Sequence, residues 1–158
     1  MRIKNYYFWL AAITNIIIDV LSKRAIVTYL QVERTSMPII PNVLHFTYIR
    51  NHGAAFSMLE GQPWLRWLSL VVSLGLIAIG IMRTFSNIWE QLGFGLILAG
   101  ALGNGIDRLF FGGSVVDFID LRIINFAIFN WADISINVGI ICLLIHGLVD
   151  RSPRSNSR

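Results

Sequence analysis

The chain has 158 residues, of which 55% are hydrophobic and only 14% are charged, and its mean hydropathy is +0.64. A soluble domain of this length carries about a quarter charged residues, because it needs a polar shell around its core. The composition therefore excludes an ordinary soluble globule and predicts a single membrane domain over residues 1–158. The net charge of +4 suits contact with anionic membrane lipids. No basic-aromatic pattern suggests a nucleic-acid partner.

Four stretches without a charged side chain predict the helices, namely residues 5–18, 67–82, 91–106 and 134–149. Each is slightly shorter than the roughly 20 apolar residues that cross a bilayer, and flanking Lys, Arg and Trp side chains can extend it. We therefore expect a membrane all-α fold with four transmembrane helices. An even number of spans places both termini on one side, and the short terminal segments beside long loops favour the cytoplasm.

Two loops are predicted to face outward, residues 24–65 and 108–132. In the first, the run from Val43 to Ile49 is rich in aromatic and β-branched residues and follows two prolines, which indicates a strand. We expect a small extracytoplasmic β element within residues 31–60. In the second loop, the residues from Val115 onward are strand-like and are expected to fold back against the membrane surface. The Ser- and Arg-rich tail, residues 152–158, is expected to be disordered.

Ionisable side chains near a bilayer are costly, so each one is a candidate for function. With four spans, five carboxylates should gather at the outer end of the bundle: Asp19, Asp107, Asp117, Asp120 and Asp133. Two carboxyls brought close together cannot both ionise readily, so one keeps its proton and the pair supplies an acid and a base. Such a pair can activate water and protonate a leaving amine, which is the chemistry of an aspartyl protease.

The residues alone favour one pair only weakly. Asp107 precedes Arg108, which predicts a local ion pair, and Asp19 lies four residues before Lys23, a spacing suited to a salt bridge. Asp117 and Asp133 have no such neighbouring cation and are the favoured pair, although the spacing does not exclude the others.

Other catalytic arrangements fit poorly. Cys142 and His146 lie four residues apart on one helix face but lack a third, orienting group. Ser22 and Lys23 are adjacent, and adjacent helical side chains point apart. No metal-ligand motif is present, so neither a metal nor a cofactor is predicted. The alternative from another class is a small proton-coupled transporter, which would favour charges at mid-span and repeated, broken helices.

Five blocks resemble the motifs of a known family, the lipoprotein (type II) signal peptidases. They are Asp19-Val-Leu-Ser-Lys23, Asn51-His-Gly-Ala-Ala-Phe56, Gly100-Ala-Leu-Gly-Asn104-Gly-Ile-Asp107-Arg108, Gly113-Ser-Val-Val-Asp117-Phe-Ile-Asp120 and Asn130-Trp-Ala-Asp133. Each block is weak by itself, but all five occur in the family's order and at the expected ends of spans. Gly100 and Gly103 are expected to serve mainly as close-packing positions between helices.

The resemblance implies an aspartic endopeptidase of the bacterial cytoplasmic membrane, with four helices and a small extracytoplasmic β-cradle. Such an enzyme removes the signal peptide of a prolipoprotein by cutting before the diacylglyceryl-modified cysteine, and it is the target of the antibiotic globomycin. The implied catalytic residues are Asp117 and Asp133. The implied substrate-binding or supporting residues are Asp19, Lys23, Asn51, Gly53, Asn104, Asp107, Arg108 and Asn130. Three positions depart from the usual pattern, namely His52, Trp131 and Ile134, which leaves the fine shape of the pocket open.

Overall fold

The computed structural model of the protein describes residues 4–53, 62, 64–124 and 126–150. Its helices are α1 (Tyr6–Leu30), α2 (Trp64–Met82), α3 (Ile88–Phe110) and α4 (Trp131–Asp150). Its strands are β1 (Ser36–Ile40), β2 (Leu44–Asn51) and β3 (Val115–Leu121), and a short 3-10 helix (Arg122–Ile124) follows β3. The expected helices and strands are confirmed. The expectations for the tail and for most of residues 54–63 lie outside the described residues.

Two of the four helices are long and apolar enough to cross a membrane by those two criteria alone. They are Trp64–Met82, with a hydropathy of 2.0, and Trp131–Val149, with a hydropathy of 1.9. The other two helices, α1 and α3, carry several ionisable side chains. The protein is thus mostly helical with two clear candidate spans, and the count of four spans stays a prediction.

Helix α3 lies at the centre of the bundle and packs against α1, α2 and α4. Small residues allow the close approach. Gly100 lies against the carbonyl oxygen of Ala132, and Gly103 lies against the carboxylate of Asp19. A side chain at either glycine would push α4 or Asp19 away from α3. The predicted packing role of the two glycines is therefore confirmed, and it sets the distances at one end of the bundle.

The three strands form one antiparallel sheet in the order β1-β2-β3. The expectation of a β element confined to residues 31–60 is therefore incomplete, because the third strand comes from the loop between α3 and α4. At about 1.5 Å per residue, the 25 residues of α1 extend about 37 Å, which is longer than a hydrocarbon core requires. Its last turns pack Ile26 against Tyr48, Val116 and Phe118 of the sheet. This apolar cluster fixes the sheet above the bundle.

The opposite end of the bundle is where α1 and α3 begin and α2 and α4 end. A second apolar cluster lies there, formed around Phe8, Leu76, Phe85 and Leu98. The polar residues near the sheet lie between these two apolar clusters, where α1, α3, α4 and β3 meet.

Candidate active site

Asp117 lies on β3, opposite Ile49 of β2, and its side chain is 3% exposed. Asn51 donates a hydrogen bond from Nδ2 to Oδ2 of Asp117 (2.9 Å), and Asn130 donates from Nδ2 to Oδ1 (2.6 Å). Burial raises the pKa of the Asp117 carboxyl from its ordinary value of 3.8 to about 7. The nearby charge of Asp133 also raises it, while the two asparagine hydrogen bonds lower it. About half of the Asp117 carboxyls therefore hold a proton at neutral pH.

The chain before α4 returns alongside β3 and so brings Asn130 to Asp117. Phe129 pairs with Ile119 across an antiparallel bridge, with Phe129 N donating to Ile119 O (3.2 Å) and Ile119 N donating to Phe129 O (2.8 Å). Asn130 follows directly, is fully buried, and precedes the first residue of α4. One residue thus joins the strand that carries Asp117 to the helix that carries Asp133.

Asp133 occupies the first turn of α4 in a reciprocal cap with Asn130. The backbone N–H of Asp133 donates to Oδ1 of Asn130 (3.0 Å), and the backbone N–H of Asn130 donates to Oδ2 of Asp133 (3.1 Å). Asn104 of α3 donates from Nδ2 to Oδ1 of Asp133 (2.9 Å). The helix N-terminus also favours negative charge at this position. The two carboxyls thus lie in unlike surroundings, because Asp133 has a helix terminus beside it and Asp117 does not.

A buried cation lies behind the asparagines. The Lys23 ammonium forms ion pairs with Asp19 (2.8 Å) and Asp107 (3.1 Å), and it donates to Oδ1 of Asn104 (3.1 Å). Asp19 accepts a hydrogen bond from the backbone N–H of Ala132 in α4 (2.9 Å). The predicted salt bridge between Asp19 and Lys23 is confirmed. Oδ1 of Asn104 accepts from the Lys23 ammonium. The Nδ2 group of Asn104 therefore points the other way, toward Asp133.

Two expectations about the aspartates need correction. Asp107 has the expected ion-paired role, but its partner is Lys23 and not Arg108, and it also accepts from the backbone N–H of Val116 (3.1 Å). Asp120 does not join the other four carboxylates. Successive residues of a strand point to opposite faces, so Asp120 lies on the face away from Asp117. There it accepts from Thr47 Oγ1 (2.7 Å) and from Arg122 Nε (3.1 Å).

Arg108 reaches from α3 toward the end of β2. Its guanidinium donates to the carbonyl oxygen of Gly53 (3.0 Å) and to Oγ of Ser69 (3.4 Å). Its Nε is buried and has no hydrogen-bond partner within the described part of the chain. Asn51 also accepts the backbone N–H of Gly53 on Oδ1 (2.8 Å), so it both closes a turn and bonds Asp117. Gly53, just after β2, is thereby held beside Asp117.

The other candidate catalytic sets are not assembled. His146 forms its hydrogen bond with Asn87 through Nδ1 (2.7 Å), and Cys142 is buried at mid-helix. Ser22 Oγ donates to the backbone carbonyl of Asp19 (2.9 Å), while the Lys23 ammonium is engaged elsewhere. Across residues 4–53 and the other described ranges, no group of three or more His, Cys, Asp or Glu side chains is arranged as a metal site.

A cleft of about 640 Å³ opens beside the two carboxyls. Its lining combines polar side chains with a larger apolar surface. Its lining includes Asn51, Asn104, Arg108, Asp117, Asn130, Asp133, the segment 126–129, Ile134, Ile136, Asn137 and Val138. Six of the ten predicted site residues thus line the cleft, and Gly53 bonds to two of them, Asn51 and Arg108. Asp19, Lys23 and Asp107 lie behind it.

Sequence reasoning missed two contributors. Asn15 accepts from Nε1 of Trp131 (3.1 Å) and lies one turn before Asp19 on the same helix, so its spacing could have found it. The segment 126–129 shows no motif, and only its pairing with β3 places it at the cleft. Of the three departures from the family pattern, Trp131 contacts α1, Ile134 lines the cleft, and His52 lies in the turn that Asn51 closes.

Comparison with known proteins agrees with this geometry. A family model described as signal peptidase (SPase) II matches residues 11–149. A lipoprotein signal peptidase of Trichormus variabilis is 52% identical over 159 residues, covering 100% of this chain and 99% of that protein. A lipoprotein signal peptidase of Thermosynechococcus vestitus is 55% identical over 146 residues, covering 90% of this chain and 92% of that protein.

Two solved structures share the fold. A bacterial membrane enzyme determined by the in meso method at 2.3 Å resolution has a TM-score of 0.82 at 35% identity, covering 94% of this chain and 92% of the other. A second one, at 1.9 Å resolution, has a TM-score of 0.77 at 37% identity, covering 89% and 92%. These neighbours and the two apolar helices indicate a membrane protein. Since sequence, fold and site agree over nearly the whole chain, it belongs to the signal peptidase II family.

Proposed function

We propose that the protein is an aspartic endopeptidase whose catalytic residues are Asp117 and Asp133. One observation carries the proposal. Both carboxyls are bonded to the same buried residue, Asn130, and both face one cleft, yet only Asp133 lies at a helix N-terminus. Two carboxyls with unlike surroundings divide the roles of acid and base.

The two roles follow from these surroundings. Asp133, which lies beside the helix N-terminus, acts as the base and accepts a proton from a water molecule as the water oxygen attacks the scissile carbonyl. Asp117, in its protonated form, donates its proton to the carbonyl oxygen of the tetrahedral adduct. When the adduct collapses, that proton returns to Asp117, and the proton on Asp133 passes to the leaving amine. Water is consumed, and both carboxyls regain their starting states.

The remaining polar residues hold the pair and the substrate. Asn51, Asn104 and Asn130 donate to the two carboxylates, which keeps the oxygens oriented toward the cleft. The buried Nε of Arg108 offers a free donor for a substrate carbonyl in the described part of the site. Lys23, with Asp19 and Asp107, supports Asn104 from behind.

The substrate we propose is a diacylglyceryl-modified prolipoprotein, cut just before its lipidated cysteine. The relatives named lipoprotein signal peptidase support this assignment. A half-apolar cleft beside an apolar helix suits a lipid-anchored chain, and each buried CH₂ contributes about 0.8 kcal/mol to anchoring. An unlipidated precursor is therefore cleaved far more slowly than the lipidated one.

We further propose that the single domain crosses the bacterial cytoplasmic membrane four times, with both termini in the cytoplasm and the sheet at the outer leaflet. Four helices of 19 to 25 residues support four spans. Cysteine accessibility at Ser155 and Gln62 in a Cys142→Ala background tests the topology. Labelling of both positions from the same side contradicts it.

A gel-shift cleavage assay on a lipidated prolipoprotein tests the catalytic assignment. Asp117→Asn and Asp133→Asn each lower turnover by at least about a thousandfold while the protein stays folded, because the two groups act as a unit. Asp120→Asn is the matched control, since Asp120 lies on the same strand but on its other face. Asp150→Asn is a second control. Near-normal turnover by either dyad variant refutes the assignment. Inhibition by globomycin supports the family's substrate site.

The transporter alternative has no specific support. The carboxylates around Lys23 and the two cleft carboxyls are connected through Asn104 and Asn130 into one network at one end of the bundle, and they do not follow a path along it. We therefore keep the peptidase as the proposed function.

A further inference from the structure

Helix α4 carries one exposed amide on an apolar surface. Its exposed large side chains include Val138, Ile141 and Leu144, which are 42%, 54% and 65% exposed. Asn137 is exposed among them. Ser135, by contrast, is buried and donates to the carbonyl oxygen of Trp131 (3.0 Å).

The Asn137 amide uses only part of its bonding capacity. Nδ2 donates to the backbone carbonyl of Asp133 one turn earlier (2.9 Å), which engages one of its two hydrogens. Neither the second hydrogen nor Oδ1 has a partner among the described residues. A polar group without a partner is costly in hydrocarbon, and an apolar side chain at this position would avoid that cost. The remaining hydrogen and Oδ1 are therefore available to a polar partner that enters the cleft.

The position of Asn137 shows where that ligand lies. Asn137 is four residues after Asp133, so it lies on the same face of α4 and about 6 Å further along the helix. It lines the same cleft as Asp117 and Asp133, between Ile134 and Val138. A chain that is held with its scissile bond at the two carboxyls and runs along α4 would pass Asn137.

The chemistry of the amide favours a peptide unit as its partner. A side-chain amide presents one N–H and one C=O side by side, which matches the C=O and N–H of a backbone amide. An ester carbonyl of a lipid offers only an acceptor. A substrate segment that leaves its helix to reach a protease site loses its internal hydrogen bonds, and the membrane supplies no replacement.

We propose that Asn137 binds the backbone of the substrate, pairing with one peptide unit next to the scissile bond and one helical turn below the two carboxyls. This inference rests on the proposed function and deepens it. Asn137 is a substrate-binding residue that acts on binding and does not take part in proton transfer.

Kinetics of Asn137→Leu on a lipidated prolipoprotein test the proposal. KM rises about tenfold and kcat changes less than about twofold, since the lost contact is made equally in the ground and transition states. Thermal unfolding in detergent gives an equal or higher Tm, because an exposed amide has been replaced by an apolar side chain. A purely structural role for Asn137 predicts the reverse, a lower Tm with an unchanged KM. That result would overturn the proposal.

Leu144→Asn is the matched control. Leu144 lies seven residues after Asn137 on the same face of α4, beyond the residues that line the cleft. An amide introduced there lowers the Tm and leaves KM unchanged. A similar rise in KM for Leu144→Asn and Asn137→Leu would show that KM merely follows the polarity of the helix surface, and this would also overturn the proposal.

A second test uses the wild-type enzyme and does not depend on the folding of a variant. Lipidated substrate peptides are prepared with single backbone amides near the scissile bond replaced by esters, which removes one N–H at a time. With the wild-type enzyme, the ester at one position should raise KM about as much as Asn137→Leu does. With the Asn137→Leu enzyme, that same ester should have no further effect on KM. Additive effects at every position contradict the pairing. If Asp117→Asn is active, the proposed function fails; if it is inactive but KM is unchanged in Asn137→Leu, only this inference fails.

Discussion

Two buried asparagines precede helices at opposite ends of the bundle, and they have different roles. Asn5 precedes α1 and is 6% exposed, and Asn130 precedes α4 and is fully buried. Asn5 donates from Nδ2 to the carbonyl oxygens of Gly80 (2.9 Å) and Arg83 (2.7 Å), and it accepts from Phe85 N (3.1 Å). All three partners are backbone groups. Asn130 instead donates to side chains, one of which is the carboxyl of Asp117.

The surroundings of the two asparagines differ in the same way. At the opposite end, the buried Glu90 accepts from both the backbone N–H (2.7 Å) and the hydroxyl (2.9 Å) of Ser86, and it pairs with the exposed Arg83. Lys4 donates to the last carbonyl oxygens of α2. These contacts close helix ends, and they need no ligand. At the sheet end, the polar network instead borders a cleft.

Buried polar residues therefore do not by themselves mark an active site in a membrane bundle. Side chains bond to one another at both ends, and what distinguishes the candidate site is that its carboxyls face a cleft, which Glu90 does not border. Substitutions in the polar network at the sheet end should lower turnover more than substitutions at the opposite end do.

Asn130→Ala is expected to lower turnover by at least about a hundredfold. It removes a donor from Asp117 and the reciprocal cap of Asp133, so both carboxyls lose their orientation. The loss of the cap also costs about 1 kcal/mol of stability. Turnover is measured by the gel-shift assay, and the stability by thermal unfolding in detergent. Wild-type turnover in this variant would show that the asparagine is only a helix cap.

Lys23→Met is expected to lower both stability and turnover. Removing the ammonium leaves the carboxylates of Asp19 and Asp107 buried without a cation, which costs about 3–5 kcal/mol. It also removes one of the two donors to Oδ1 of Asn104, which leaves only Asn130 to hold the amide that orients Asp133. We therefore expect turnover to fall about tenfold or more. The double variant Lys23→Met, Asp19→Asn should recover part of the stability, because one uncompensated charge is gone. No recovery would contradict the charge argument.

The pH dependence should report Asp117. Its pKa is raised by burial to about 7, so the protonated, acid form is lost as the pH rises through that value. kcat/KM then falls about tenfold per pH unit above it. The stability contributed by the raised pKa is fully present below about pH 4 and is lost as the pH rises through about 7. Asp117→Asn therefore becomes more stable relative to wild type over this range, while Asp120→Asn keeps the wild-type profile.

Asn5→Ala is expected to have the smallest effect on turnover although it perturbs a buried residue as strongly bonded as Asn130. It leaves buried backbone groups of the α2–α3 connection unpaired, which costs about 1–3 kcal/mol. The left-handed backbone at Asn5, with φ 57°, also disfavours alanine. The folded fraction should keep a wild-type kcat. A loss of kcat comparable to that of Asn130→Ala would remove the distinction between the two ends.

Much of the site was predictable because its residues interrupt apolar sequence. A carboxylate or amide is costly near a bilayer, so the sequence alone makes Asp19, Asn104 and Asp133 candidates for function. The salt bridge between Asp19 and Lys23 was predictable because it depends only on helical spacing. The pairing of Asp107 was not, because a neighbouring residue in sequence, Arg108, points away from it on the helix.

The sequence by itself determined the four helices, the strands beginning near Val43 and Val115, and a set of candidate carboxylates, since hydrophobic period and polar interruption are local properties. Only the tertiary structure decided which carboxylates meet. Strand β3 completes a sheet begun in another loop, and its alternation points Asp117 toward the cleft and Asp120 away from it. The return of Phe129 beside β3 then places Asn130 between Asp117 and Asp133. Those contacts join residues distant in the chain, and no local pattern encodes them.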